Sequence, residues 1–214
     1  MISSSVRSSL QVRPCTAADA VAATQLLFAA GPELFTYTFA SSAEKTLEIL
    51  TKAFAKPDHA FSYSHAQVAE VEGEVVGLLV SYSGALKTEA ENRVHQVMPG
   101  IVPVWKVPGM LLNLTDLNRV KQPVPVQDYY VLCVAVKPEL QGQGIGTCLL
   151  SQAETMAALE GCGAVALDLT LNNQQALRFC QGLGYRVVQS STTPRFERQT
   201  GAGGLQRLVK PLVV

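Results

Sequence analysis

Between an apolar run, Tyr129–Val136, and an amphipathic stretch starting at Ile145 lies Gln141-Gly142-Gln143-Gly144-Ile145-Gly146. Glycines let a backbone approach a ligand closely, and the first N–H groups of a helix have no partner within it. Together with the helix dipole these features make an anion site, most naturally for phosphate. A glycine-rich turn that merely starts a helix has the same composition, so spacing must decide what is bound.

A Walker loop requires GxxxxGK[ST], and no lysine follows Gly146. A dinucleotide loop requires GxGxxG close behind its strand; here the third glycine comes one place early, and five residues separate Val136 from Gly142. Asp168, at the end of the next apolar run, stands near the ribose position of that fold, about 20 residues beyond the loop. A strand-end carboxylate would look the same.

The segment resembles the acetyl-CoA loop of the GNAT superfamily of N-acetyltransferases, Q/R-x-x-G-x-G/A, with Gln141, Gly144 and Gly146 at its fixed positions. The preceding VAVKPEL is similar to the family's strand–Pro–Glu lead-in. Downstream, Asn173-x-x-Ala176 followed by Leu183-Gly184-Tyr185 resembles its N-x-x-A…G-F/Y segment. The resemblance spans 128–190, extends to 10–82 through the order of elements, and is absent over 85–127. It implies a mixed α/β (α+β) fold: a mostly antiparallel sheet with one splayed parallel strand pair and helices on both faces. It also implies an enzyme that takes acetyl-CoA as co-substrate and transfers acetyl directly to a primary amine of a small molecule or peptide. The amine must attack as the neutral base, so a side chain or a water relay must accept its proton.

Carried over residue by residue, the resemblance assigns backbone contacts with the acetyl-pantetheine to Val134 and Val136. It assigns the pyrophosphate to Gln141, Gly142, Gln143, Gly144, Ile145, Gly146 and Thr147, and the cofactor arm to Asn173. The Val134 N–H becomes the oxyanion donor. Two positions depart from the pattern. Tyr130 stands where some members carry a glutamate base, and a phenol of ordinary pKa, about 10, is a poor base at neutral pH. Asp128 is the nearby carboxylate. Cys180 stands where the family usually has a tyrosine acid; a thiol near pKa ~8.5 is matched to a leaving thiolate, although a helical cysteine also serves as core packing. Tyr129, Tyr130 and Tyr185 are the other candidate acids. A non-catalytic acyl-CoA-binding module is the alternative reading, since the loop is intact while the acid and base positions have changed.

The elements that must carry these residues follow from periodicity. LQVRP over 10–14 reads as a strand, and Thr16–Ala30 as a helix broken by Gly31-Pro32. Leu47, Leu50 and Phe54 share a face of a second helix, from about Ser42 to Ala55. Gln67–Val71 and Glu74–Ser81 form a hairpin about Glu72-Gly73. Tyr129–Val136 and Ala164–Thr170 are buried strands. The helix between them runs to about Gly161, and another covers Asn173–Leu183, so the two strands should be parallel. Tyr185–Gln189 and Leu205–Leu212 read as a last antiparallel pair joined by a glycine-rich loop. Residues 85–127 hold a polar helical piece (85–97), an apolar piece (110–120) and five prolines, and read as an insertion over one end of the sheet. On the acceptor side, expected at about 31–45, Glu33, Glu44, Asp128 and His95 are the groups able to attract an amine. The insertion, with Trp105, Met110 and Leu111, would either lid that site or form an oligomer contact such as a homodimer interface.

Composition bounds these readings. At 214 residues, 48% hydrophobic and 16% charged, the chain suits one domain over 10–214 and is too apolar to be disordered. Seventeen basic and seventeen acidic residues cancel, which argues against a dedicated nucleic-acid binder. Cysteines at 15, 133, 148, 162 and 180 are odd in number with no CxxC pair, so neither a disulfide framework nor a metal site is indicated and a reducing cytoplasm is expected. The polar start, MISSSVRSS (1–9), reads as a disordered tail rather than a signal peptide, and no run is long enough for a membrane span.

Overall fold

The computed structural model describes residues 9–212; the tail expected over 1–9 lies, apart from Ser9, outside them. The chain is a mixed α/β structure built on a seven-stranded sheet in the order β1-β2-β3-β4-β5-β7-β6. Every neighbouring pair is antiparallel except β4 and β5. Among the described residues no helix is long and apolar enough to cross a membrane.

Strand β1 (Leu10–Pro14) turns at Thr16, whose N–H and hydroxyl both donate to Asp19, each at 2.8 Å. That cap starts a short 3-10 turn, and α1 follows over Ala20–Ala29. Gly31-Pro32 ends α1, as expected, but also begins a helix absent from the sequence reading, α2 (Pro32–Phe39). Proline in a first turn sacrifices no helical bond, so the same residue breaks one helix and opens the next. Ser42 caps α3 (Ala43–Phe54) by accepting from the Lys45 N–H at 3.4 Å. Strands β2 (Ala66–Val71) and β3 (Glu74–Ser83) are joined by Glu72 and Gly73, both at positive φ (53° and 84°), as a tight hairpin turn requires.

The insertion forms α4 (Gly84–Val97) and α5 (Val107–Val120). Its prolines flank these helices, or stand in the first turn of α5 as Pro108 does, so they punctuate the segment instead of preventing helix. Then come β4 (Asp128–Val136), α6 (Ile145–Leu159), β5 (Ala164–Thr170) and α7 (Gln174–Gly182). Between β6 (Arg186–Ser191) and β7 (Leu205–Pro211) the expected glycine-rich loop contains a further helix, α8 (Pro194–Thr200). Its Phe196 is fully buried edge-on against Tyr37 of α2, with ring centroids 5.3 Å apart. A seven-residue helix with one buried side chain leaves little periodic signal.

One sheet face is covered by α1 and α3, through Leu27, Leu50 and Phe54. The other is covered by α6 and α7, through Leu149, Ala153 and Cys180. Helix α6 sits close because β3 presents Gly77: a Cβ there would lie 3.0 Å from Leu149 and 3.3 Å from Ile145. That contact places the start of α6, and the loop before it, at the C-terminal end of β4.

Candidate active site

Strands β4 and β5 pair from Asp128↔Ala164 to Val131↔Leu167 and no further, although both continue. The cause lies on the other edge of β4. Val80 opposes Cys133 and Ser81 opposes Val131, which leaves Leu132 as an extra residue. Such a bulge bends its strand and ends regular pairing. Beyond it the Lys137 N–H donates to the Val76 carbonyl at 2.9 Å, while Val136 opposes Gly77 and Val134 opposes Leu79. The antiparallel alternation then turns the N–H and C=O of Val134 and Val136 away from β3, into the gap that β5 has left. The Gln141 side chain reaches back to donate to the Val136 carbonyl at 3.2 Å and accepts from Gln175 of α7 at 3.1 Å.

At the mouth of that gap Gly142 and Gly144 hold φ of 75° and 84°, conformations that favour glycine. The first helical bond of α6 runs from the Cys148 N–H to the Gly144 carbonyl at 3.0 Å, so the amides from Gln143 to Thr147 lie ahead of the helical ladder. Ile145 is buried in the core beneath α6, which anchors the start of the helix. Across the gap, Asn173 Oδ1 caps α7 by accepting from the Ala176 N–H at 3.1 Å, and its amide NH₂ remains for other partners.

The gap opens into a cavity of about 290 Å³. Phe35 of α2, Met110 and Leu114 of α5, Leu132 of β4 and Leu169 of β5 form apolar walls, and Asn173 stands at the edge. Glu91 and His95 of α4, Lys121, Tyr130 and Asp168 supply its polar groups. The insertion therefore walls the cavity, but not through Trp105, which is 76% exposed and lies outside it. Of the acids expected near the acceptor, Glu33, Glu44 and Asp128 do not line the cavity. Glu91, Lys121 and Arg207 were not singled out from the sequence: the first two lie in a stretch without a motif, and Arg207 acts only through tertiary contacts.

Tyr130 is buried and donates to Asp168 Oδ2 at 3.0 Å. Arg207 grips Asp168 with a fork at 2.6 and 2.9 Å, and Lys87 and Arg207 lie over the Tyr130 ring at 5.4 and 5.6 Å. Burial, and then the Asp168 charge, hold the phenol well above its ordinary pKa, so Tyr130 stands as a neutral donor. Asp128 begins β4 at the paired end, away from the gap. Partial burial pushes its carboxyl up while Arg207 pulls the other way. Cys180 is 1% exposed in the core beneath α6, and burial pushes its thiol up to about 11. Both features weigh against a proton donor facing the gap. Tyr185, the other downstream candidate, is buried with its hydroxyl on Glu154 at 3.1 Å.

A search of curated proteins finds no match to the chain. Among solved structures, an N-acetyltransferase from Staphylococcus aureus Mu50 superposes with a TM-score of 0.70 at 19% identity, covering 94% of this chain and all of the other. A second structure, described as an acetyltransferase, gives 0.67 at 20% identity over 95% and 100%. The paiA N-acetyltransferase from Thermoplasma acidophilum, in complex with coenzyme A, gives 0.50 at 15% identity over 95% and 99%. These likenesses establish the fold. The profile of the Acetyltransferase (GNAT) family matches residues 32–185, most of the chain and all of the gap, loop and α7 just described, and the protein thus belongs to the GNAT acetyltransferases.

Proposed function

We propose that the protein transfers acetyl from acetyl-CoA to the primary amine of a small molecule held in the cavity. One observation carries this reading. The backbone edge of Val134 and Val136, paired with no strand, lies between a phosphate-ready loop on one side and a mostly apolar cavity on the other. The residues present fit acetyl-CoA: two glycines at positive φ and a run of free amides form a cradle for pyrophosphate. The solved relative that holds coenzyme A supports the same fit. When bound, acetyl-CoA supplies an activated thioester.

The chain's own groups do the rest. Amides 142–147 hold the diphosphate, the Asn173 NH₂ and the Val136 N–H orient the arm, and the Val134 N–H points to where oxyanion charge develops. Tyr130 donates to Asp168 and Arg207 forks the same carboxylate, so this pair is committed to itself, and the acceptor's proton passes to solvent at the exposed side of the cavity. The apolar walls then favour the neutral amine. A volume near 290 Å³ suits a small acceptor better than a peptide chain. We read 10–214 as one acetyltransferase domain whose insertion supplies the acceptor wall. The five cysteines are unpaired, which supports a reducing, cytoplasmic setting.

Thermal unfolding with increasing acetyl-CoA tests the assignment, since a ligand of the folded state stabilises it by RT ln(1 + [L]/Kd). The melting temperature should rise with acetyl-CoA, and thiol should be released when amines are added. No shift at saturating acetyl-CoA, beside a shift with NAD, would overturn the proposal.

A further inference from the structure

The cavity wall carries Glu91, Lys121 and Asp168 as its ionic groups, with His95 exposed beside them. Asp168 is saturated by the Arg207 fork and by Tyr130. Glu91 takes Lys87 Nζ at 2.8 Å. Arg207 and Lys87 lie behind the wall, so each wall carboxylate is neutralised from outside the cavity. Lys121 has only a share of one such carboxylate. It forms a long ion pair with Glu91 Oε1 at 3.8 Å, the same oxygen that Lys87 holds at 2.8 Å, so two ammonium groups share a single carboxylate and Lys121 has no hydrogen-bonded acid of its own.

The position of Lys121 is built rather than incidental. Its N–H closes the end of α5 on the Leu117 carbonyl at 2.8 Å. The next two carbonyls, of Gln122 and Pro123, accept from Arg207 at 2.8 and 3.1 Å. The arginine that neutralises Asp168 therefore also fixes the backbone on which Lys121 stands. Burial pushes the ammonium's pKa down, a cost that a bound anion would offset. One lysine matches a monoanion, whereas a phosphate ester, near −2, would want a second free cation. Apolar groups, Phe35, Leu114 and Leu169 among them, surround the remaining space.

We propose that Lys121 anchors a carboxylate on the acceptor, so that the acceptor is a primary amine with an apolar body and a carboxylate: an apolar amino acid in chemical class. This rests on reading the cavity as the acceptor pocket. The test compares matched pairs that differ only in the carboxylate, leucine against isopentylamine and phenylalanine against 2-phenylethylamine, with aminoalkyl phosphates as a third arm. Thiol release gives kcat/KM, and calorimetry on the CoA-bound protein gives acceptor affinity. The amino acids should be preferred over both other arms. Lys121→Met should lower that preference about tenfold or more, mainly through KM, and Lys121→Arg should restore part of it. Preference for the decarboxylated amines or the phosphates, or a preference that Lys121→Met leaves intact, would overturn the anchor while acetyl transfer stands. Lys121-dependent binding of amino acids without turnover would uphold the anchor and sink acetyl transfer. Amino acids that neither bind nor react would overturn the anchor outright.

Discussion

Gly146 lies against the ring of Phe179: a Cβ on the glycine would stand 3.1 Å from Phe179 Cζ and 3.7 Å from Cε1. The glycines of one motif thus do different work. Gly144 supplies a left-handed backbone angle at the helix start, and Gly146 lets α7 close on α6. Gly146→Val should lose roughly 1–3 kcal/mol by overpacking this contact. Phe179→Leu in the same chain should recover part of that loss, measured by urea unfolding. Failure of the second change to recover anything would mean the ring is not the obstacle.

Gly144→Val should weaken acetyl-CoA binding more than Cys180→Ala lowers turnover. Valine at positive φ is strained, and its branch intrudes where the amides meet an anion. Cys180 is sealed in the core, so its truncation should act on stability, by about 1 kcal/mol. Calorimetry with acetyl-CoA and steady-state thiol release would show this order. A Cys180→Ala protein that binds acetyl-CoA normally yet has no measurable turnover would reverse it.

The sequence carries the loop and strands proposed for the cofactor far better than the wall proposed for the acceptor, for a physical reason. Backbone recognition needs glycines at fixed offsets and a cap such as Asn173, and these are local patterns. Strand β5 and the pair β2–β3 were legible for the same reason, since alternation and a Glu-Gly turn are local. The Leu132 bulge is not local, because it exists only in the register between β3 and β4. Lys121, Glu91 and Arg207 come from three elements with no shared spacing, and nothing in their neighbours marks them. Helix α2 is hidden by Pro32, whose commoner meaning is that of a helix breaker. Trp105 was the most visible residue of the insertion, and it faces away from the cavity.

That last point gives a paired prediction. Leu114 lines the cavity from α5, whereas Trp105 is exposed on the preceding turn. Leu114→Ala should enlarge the pocket and shift selectivity toward bulkier acceptors, with KM for the small ones raised roughly 5- to 30-fold, as expected for about 1–2 kcal/mol of lost apolar contact. Its acetyl-CoA affinity should change little. Trp105→Ala should alter the kinetics of no acceptor. Sedimentation then separates the remaining roles: dissociation of an oligomer in Trp105→Ala assigns the exposed ring to assembly. An acceptor KM that follows Trp105 and ignores Leu114 would mean the wall has been placed wrongly.

One buried and one half-buried histidine should make the protein acid-sensitive well above the carboxylate range. His59 is fully buried, with its ring edge-on to Phe61 at 4.8 Å. Its Nε2 bonds the Ala53 carbonyl at 2.9 Å, so the single proton sits there, and Nδ1 has no partner. His65 packs on Tyr82 at 5.5 Å with an unpartnered Nε2. Burial is the main cause that pushes both pKa values below the ordinary imidazole value. In the unfolded chain they titrate near 6.5, so as pH falls through that value the unfolded state binds more protons than the folded state, and stability is lost. Asp19, held low by the Arg13 fork, loses its contribution only as pH drops below about 4, and Asp128, shifted upward, acts in the opposite sense just above that, adding stability as pH falls through its raised folded value. Between pH 7.5 and 5 the histidines therefore dominate. The unfolding free energy from urea titrations should fall by roughly 1–3 kcal/mol over that range. Replacing both residues by glutamine, whose amide keeps a donor for Ala53, should flatten the slope whatever it does to the absolute stability. A parent protein equally stable at both pH values, or a double variant whose slope stays as steep, would show that neither imidazole is kept neutral by its burial.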